Sequence, residues 1–283
     1  MTEAKTIYIT GASSGIGRAT AVTMAGAGWQ VFAGVRTQQA ADSLRAEHGS
    51  ILPVHVDITQ QSSIDAVAKV VAKEVGDHGL DVLFNNAGVP ATGPAEFIAV
   101  QQFRDVFEVN LFGHIAVTQS VLPLVRKARG RVLFTSSTTG KFAPPFMSPY
   151  AASKHAIEGL VDAWRHELRP LGVDVILIEP GGIATPIWDK ALDPELQDFG
   201  PEAEAVYGAG MAWAMEQGQT GLKLAIPAEK AAAIVRKAIE AKRPKIRYLV
   251  GLDAHVITRM NRFAPGVLDT AISAVMRRDA TKR

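Results

Sequence analysis

Seven short runs of apolar, β-favouring residues recur along the chain, and longer helical patterns separate them. The runs are TIYIT (6–10), QVFAGV (30–35), ILPVHV (51–56), DVLFNN (81–86), RVLFTS (131–136), VDVILIE (173–179) and IRYLVG (246–251). Most are continuously apolar rather than alternating, which is how strands buried on both faces read. Such strands need helices on both sides of a parallel sheet, and the intervening segments supply them. In AEKAAAIVRKAIEA, for example, Ala231, Ile234, Val235, Ala238 and Ile239 share one stripe behind Pro227. The alternation predicts a single α/β domain over 1–283, a doubly wound parallel sheet of about seven strands with helices on both faces. Two segments interrupt the pattern. Residues 187–226, rich in Ala, Gly, Trp, Met and Glu, read as a substrate-loop insertion or lid. Residues 252–283 read as a C-terminal helical extension. There Leu268, Ile272, Val275 and Met276 share a stripe expected to pack on the body, with Arg277 and Arg278 in the last turn.

Composition narrows the function classes. Thirty basic residues against 28 acidic ones leave a net charge of +2, too mild to predict a nucleic-acid partner. The excess is local: 10 Lys/Arg and only 3 Asp/Glu lie from Lys242 onward. With no cysteine, disulfides, thiolate metal sites and a Cys nucleophile are excluded. The seven histidines form no ligand cluster and read as ordinary, so no metal is predicted. The chain starts without a signal-peptide pattern, and no run approaches the ~18 apolar residues of a membrane span. These features predict a cytoplasmic protein without a transmembrane segment.

The first strand runs into TGASSGIG, Thr10 to Gly17, and a helical pattern follows. Glycines at Gly11, Gly15 and Gly17, with Ser13, Ser14 and Ile16 between and beside them, form a strand-to-helix turn. Glycine lets a backbone approach a ligand closely. The helix start offers free N–H groups and a positive dipole end, which suits the pyrophosphate of a dinucleotide.

The Gly-x-x-x-Gly-x-Gly spacing resembles that of the short-chain dehydrogenase/reductase family, a Rossmann-type group. The family's other marks stand in order: NNAG at 85–88, Asn110 in FEVNLFG, SS at 136–137, Tyr150-x-x-x-Lys154, and PGGIAT at 180–185. The resemblance covers about residues 5–190. It implies hydride transfer between a nicotinamide cofactor and a carbonyl or secondary alcohol. It also implies roles. Ser137 would hold the substrate oxygen, Lys154 would bond the nicotinamide ribose, and Asn110 would carry a water relaying protons to Lys154. Thr185 would bind the carboxamide, with Pro180, Gly181 and Ile183 beside it. Asn86, Ala87 and Gly88 would line the adenosine ribose, and Asp57 with Ile58 would lie by the adenine. A lone Asp after a strand also reads as a helix cap.

Tyr150 and Lys154 lie one helical turn apart on one face. A free phenol has a pKa near ~10, and a cation close by would lower it toward the range useful for acid–base catalysis. Tyr150 is therefore the expected general acid/base, protonating a substrate oxygen as hydride arrives or deprotonating an alcohol as hydride leaves.

The second strand ends in Val35, Arg36, Thr37 rather than in an acidic residue. An acid there would favour NAD, whereas Arg36 can clamp a 2′-phosphate, so NADP is expected, with NAD possible. Ser14 stands where some relatives place a second basic residue, and Arg18 comes one turn late. The substrate side is apolar: Phe142, Phe146, Met147, Ile187, Trp188, Phe199, Tyr207, Met211 and Trp213 suit a lipophilic ketone or alcohol. The hydroxysteroid and retinol dehydrogenase branch is the nearest likeness. The family resemblance implies a homodimer or homotetramer, formed through helices near 101–127 and 151–169. Phe103, Val106, Phe107, Ala156, Leu160 and Trp164 are contact candidates there that could equally be intrachain core. The competing readings are an NAD-dependent alcohol dehydrogenase of the same fold and a cofactor-sensing protein without chemistry.

Overall fold

A computed structural model describes residues 4–193, 198–264, 266–267, 269–270 and 272–274. Its centre is a seven-stranded, wholly parallel sheet in the order β3-β2-β1-β4-β5-β6-β9. The strands are β1 (Thr6–Ile9), β2 (Gln30–Val35), β3 (Ile51–His55), β4 (Val82–Asn85), β5 (Arg131–Thr135), β6 (Asp174–Pro180) and β9 (Arg247–Val250). Each coincides with one of the seven apolar runs, β6 extending one residue past its run to Pro180. A further pair, β7 (Ile183–Ala184) and β8 (Ile226–Pro227), forms a separate two-stranded ribbon, too short to leave a periodic signal.

The alternation of side chains across each strand builds two cores. Ile7, Ile9, Val82, Phe84 and Leu133 face one side, where α1 (Gly15–Gly26) and α9 (Ala228–Glu240) pack. Tyr8, Leu83, Val132 and Phe134 face the other. That side is covered by α3 (Gln61–Val75), α5 (Gly113–Lys127) and α6 (Ser148–Leu168). The helix α2 (Gln38–Glu47) flanks β2 and β3, and α4 (Val100–Phe107) runs into α5 through a π-helical turn, Glu108–Phe112. The chain reverses its direction of winding between β1 and β4. In such sheets the crevice at the strands' carboxyl ends is the ligand position.

The 187–226 insertion is mostly helical, with α7 (Ile187–Ala191) and the 24-residue α8 (Gly200–Lys223). The C-terminal segment begins with α10 (Leu252–Phe263), which buries Ala254 and leaves Leu252, Val256 and Phe263 exposed. Leu268, Val275, Met276, Arg277 and Arg278 lie outside the described residues. Of the apolar residues expected at subunit contacts, Val106 is buried in the chain, while Leu160 and Trp164 pack on its own core, Trp164 edge-on to Phe134. What α4 and the π turn expose instead is Val100 and Phe112. Among the described residues, no helix is long and apolar enough to cross a membrane.

Candidate active site

The glycine turn is shaped by what presses on it. Gly11 has φ +65°, and a Cβ there would sit 2.7 Å from the Ala87 Cα. Gly15 has φ +54°, and its Cβ would meet the Thr185 methyl at 2.9 Å. A Cβ on Gly17 would strike the Gly11 carbonyl oxygen. The turn therefore touches both the NNAG turn and PGGIAT, so three sequence motifs meet in one place. Ser14 precedes α1 without capping it through its side chain. The donors of the first turn are thus not taken by a side-chain cap, as a pyrophosphate requires. The residues present fit a dinucleotide.

Thr10 and Asn86 fasten this region. The Thr10 hydroxyl accepts the amides of Asn86 and Ala87 at 3.0 and 3.1 Å. The Asn86 amide donates to the carbonyls of Thr10 and Gly11, and its oxygen accepts from Thr135. Asn86 thereby ties the ends of β1, β4 and β5 together. Asp57 accepts from the Thr59 amide and hydroxyl at 2.9 and 2.7 Å, and those bonds hold its carboxyl below the usual range. It is a turn cap at the edge of the cleft. Its neighbour Ile58 presses on α5, where its carbonyl lies 2.7 Å from a Cβ built on Gly113.

At the next strand ends, Ser137, Tyr150 and Lys154 converge. The Ser137 hydroxyl interacts with the Tyr150 phenol and opposes the rise that burial gives it. Lys154 is buried, and its ammonium donates to the Thr135 carbonyl at 2.8 Å and lies 5.5 Å from the centre of the Tyr150 ring. A Cβ on Gly88 would come within 3.8 Å of that ammonium. The PGGIAT strand turn is near as well: Ile183 is buried and its carbonyl accepts from the Trp188 indole at 2.9 Å. Pro180 ends β6, and the Gly182 amide donates to the Asp253 carboxylate.

One expectation needs correction: Lys154 does not bring the Tyr150 phenol down. Burial pushes Tyr150 up to about 12, and it is the Ser137 hydroxyl that pulls the other way. The ammonium lies over the ring and donates to a strand carbonyl, and burial disfavours the charged form of both groups. The Asn110 carboxamide is committed, which bears on how the expected water would be held and does not contradict it. Its oxygen accepts the Val89 amide, and its nitrogen donates to the Val89 carbonyl and the Ser153 hydroxyl. Only its backbone is left to carry a water. Arg18, one turn late for a phosphate, bonds Glu47 at 2.6 Å and Ser43 at 3.0 Å. Arg36 is exposed, and its charge helps to hold down Asp57.

The structure adds residues that the sequence reading passed over. His114 is not ordinary: it is fully buried, bonds the Ala87 carbonyl at 2.7 Å, and is pushed down to about 3 by burial, with the Lys154 charge adding to the effect. Glu158 lies one turn past Lys154 and is buried beside Glu179 and Arg247. The i, i+4, i+8 spacing of Tyr150, Lys154 and Glu158 was a signal that could have found it.

Three of the apolar candidates, Phe146, Phe199 and Tyr207, lie where the insertion meets the loops facing it. Tyr207 on α8 meets Phe97 and Phe146 edge-on, with ring centres 6.0 and 6.4 Å apart, and its hydroxyl donates to Glu96. Phe199 lies where a side chain on Gly93 would be. Phe146, with φ +62°, stands four residues before Tyr150. Aromatic side chains thus bridge the insertion and the loop that leads into α6.

A glycine-lined cradle at the switch point, with a phenol, a hydroxyl and an ammonium beside it, defines a nicotinamide-dependent oxidoreductase. Comparison with known proteins agrees: the family described as short chain dehydrogenase matches residues 5–195, and the chain belongs to it. It is 37% identical over 248 residues to an NADPH-dependent 3-dehydrocapnine reductase of Ornithobacterium rhinotracheale, covering 86% of each chain. It is 35% identical over 284 residues to retinol dehydrogenase 16 of Homo sapiens, covering 95% of this chain and 87% of that one. A Streptomyces avermitilis short-chain dehydrogenase superposes with TM-score 0.77 at 28% identity, over 100% of this chain and 98% of the other. A Burkholderia phymatum relative in complex with NAD gives 0.78 at 25% identity, over 94% and 95%. The chain is an NAD(P)-dependent oxidoreductase of the hydroxysteroid and retinol dehydrogenase branch.

Proposed function

We propose that this chain reduces a lipophilic ketone, or oxidises the matching secondary alcohol, with NADP as the preferred cofactor. The observation that carries this is the meeting of Ser137, Tyr150 and Lys154 at the carboxyl end of β5, against the NNAG turn. Bound across the cradle, the nicotinamide supplies or accepts the hydride. Residues 10–17 hold the pyrophosphate, Asn86 to Gly88 and Asp57 with Ile58 flank the adenosine end, and Pro180 to Thr185 flank the nicotinamide. Ser137 orients the substrate oxygen. Tyr150 gives it a proton from the phenol, which stays protonated at neutral pH because burial holds its pKa high. Lys154 holds the ribose and, through water on the Asn110 backbone, passes protons inward.

The apolar lining supports a steroid-, retinoid- or ketoacyl-like substrate, as do relatives named for retinol and for a 17-beta-hydroxysteroid. Arg36 supports NADP, as does the NADPH-dependent relative. The engagement of Arg18 by Glu47 supports the second reading, NAD-dependent alcohol oxidation, because it leaves Arg36 without a companion cation. A cytoplasmic location and a homodimer or homotetramer complete the proposal; exposed Val100 and Phe112 support association. The test is cofactor oxidation with a panel of lipophilic ketones, using NADPH and NADH side by side for wild type and Arg36→Ala. The proposal expects a tenfold or greater NADPH preference, about 1.4 kcal/mol, that Arg36→Ala abolishes. Turnover of no ketone or alcohol with either cofactor would end it.

A further inference from the structure

Behind Lys154 lies a buried ionic cluster that the proposed chemistry does not use. Glu158 is one turn further along the same face of α6, and only 5% exposed. Its carboxylate accepts from the Ser136 hydroxyl at 2.6 Å, from Lys141 at 2.5 Å and from Arg247 at 3.2 Å. Arg247 continues to Asp162 at 2.8 Å and to Glu179 at 3.1 Å. The end of β5 ties both groups in place, since Thr135 accepts from Lys154 and the next residue, Ser136, donates to Glu158. Gly140 permits this closeness: a Cβ there would sit 2.7 Å from the Ser136 hydroxyl, 3.1 Å from the Lys154 carbonyl and 3.2 Å from Glu158.

We propose that Glu158 is a positioning residue of the active site, the buried counter-charge that keeps Lys154 an ammonium. Lys154 is 2% exposed, and its ammonium faces the Tyr150 ring, the Thr135 carbonyl, the Gly88 backbone and neutral His114. None of these carries a negative charge at neutral pH. Burial lowers Lys154 to about 8, and Glu158 is the charge that draws it back up. Lys141 and Arg247 compete with Lys154 for that carboxylate. Burial and the Glu158 charge raise Glu179 to about 7, so it holds a proton through most of the acid range. Lys154 is thus set by a balance of Glu158 against Lys141 and Arg247.

The balance predicts opposite shifts from two substitutions. Glu158→Gln removes the counter-charge and keeps the hydrogen-bonding shape, so the Lys154 titration midpoint falls by about one pH unit, tenfold in proton affinity. Lys141→Met removes a competing cation from a partly exposed position, so the midpoint rises. The measurement is carbon-13 lysine NMR of the protein alone, with the Lys154 signal assigned by its loss in Lys154→Arg. A purely structural role for Glu158 would lower melting temperature without moving the two midpoints in opposite directions. If Glu158→Gln does not fold, the rise in Lys141→Met still decides. A Lys154 midpoint that stays fixed in the folded variants, or moves the same way in both, overturns the proposal. The inference rests on the reading of Lys154 as the ribose-binding ammonium. That reading fails separately, if Lys154→Met binds NADPH as wild type does.

Discussion

The Asp253 carboxylate accepts the Gly182 amide at 2.6 Å, joining α10 to the turn after β6 across 71 residues of chain. That turn is the one proposed to flank the nicotinamide. Room for the carboxylate comes from missing side chains: a Cβ on Gly181 would lie 2.1 Å from it, and one on Gly251 2.4 Å. The C-terminal segment therefore reaches back to fix a loop of the site.

A double-mutant cycle tests this relationship. Gly181→Ala forces the Asp253 carboxylate off the loop and should destabilise the protein by about 1–3 kcal/mol. In an Asp253→Ala background the same substitution meets no carboxylate, so most of that cost should vanish. Thermal melts of the four proteins give the coupling directly. Additive effects would mean that the two residues do not depend on each other.

Gly15→Ala tests the cradle. Its positive φ costs an L-residue roughly 1–2 kcal/mol, and the added methyl drives Thr185 away. The fold should survive, with dinucleotide affinity reduced tenfold or more in a fluorescence titration. Wild-type affinity would show that the cofactor does not approach this turn.

Stability should fall on both sides of mildly acidic pH, for separable reasons. Burial raises Glu179 from 4.5 to about 7, so its contribution is full below about 4.5 and lost as pH rises through 7. The penalty above pH 7 is about 3 kcal/mol at most. His114 is lowered from 6.5 to about 3, so its contribution is full above 6.5 and lost as pH falls toward 3. Glu179→Gln should flatten the upper limb, and His114→Gln, which keeps a donor for the Ala87 carbonyl, the lower. Denaturant melts from pH 4 to 8 separate the two. Unchanged pH profiles would contradict the burial assigned to these groups.

Legibility in the sequence followed the range of the physics. Mostly apolar runs such as DVLFNN and VDVILIE marked the central strands because a strand buried on both faces leaves a local signature. The glycine turn and the Tyr150–Lys154 pair were legible because their spacing is fixed within one turn of chain. The two-residue strands β7 and β8 were not, having no period to show. The insertion's long helix was read as a loop because α8 carries five glycines and buries little beyond Ala203 and Gly208. Asp253, Arg247 and His114 act on partners far away in sequence, and nothing local marks them. The direction of the Tyr150 shift was misread for a related reason: charge proximity along a helix is visible in sequence, and desolvation is not.

The central claim is that Tyr150 delivers the proton while hydride is transferred, and Tyr150→Phe tests it most directly. NADPH binding is measured by titration, and reduction of a ketone that the wild type turns over is measured in a single turnover. The account predicts cofactor affinity within about threefold of wild type and a reduction rate lower by 10²-fold or more, the ordinary contribution of general acid catalysis. A rate near wild type would contradict it and move the proton donor elsewhere in the cleft.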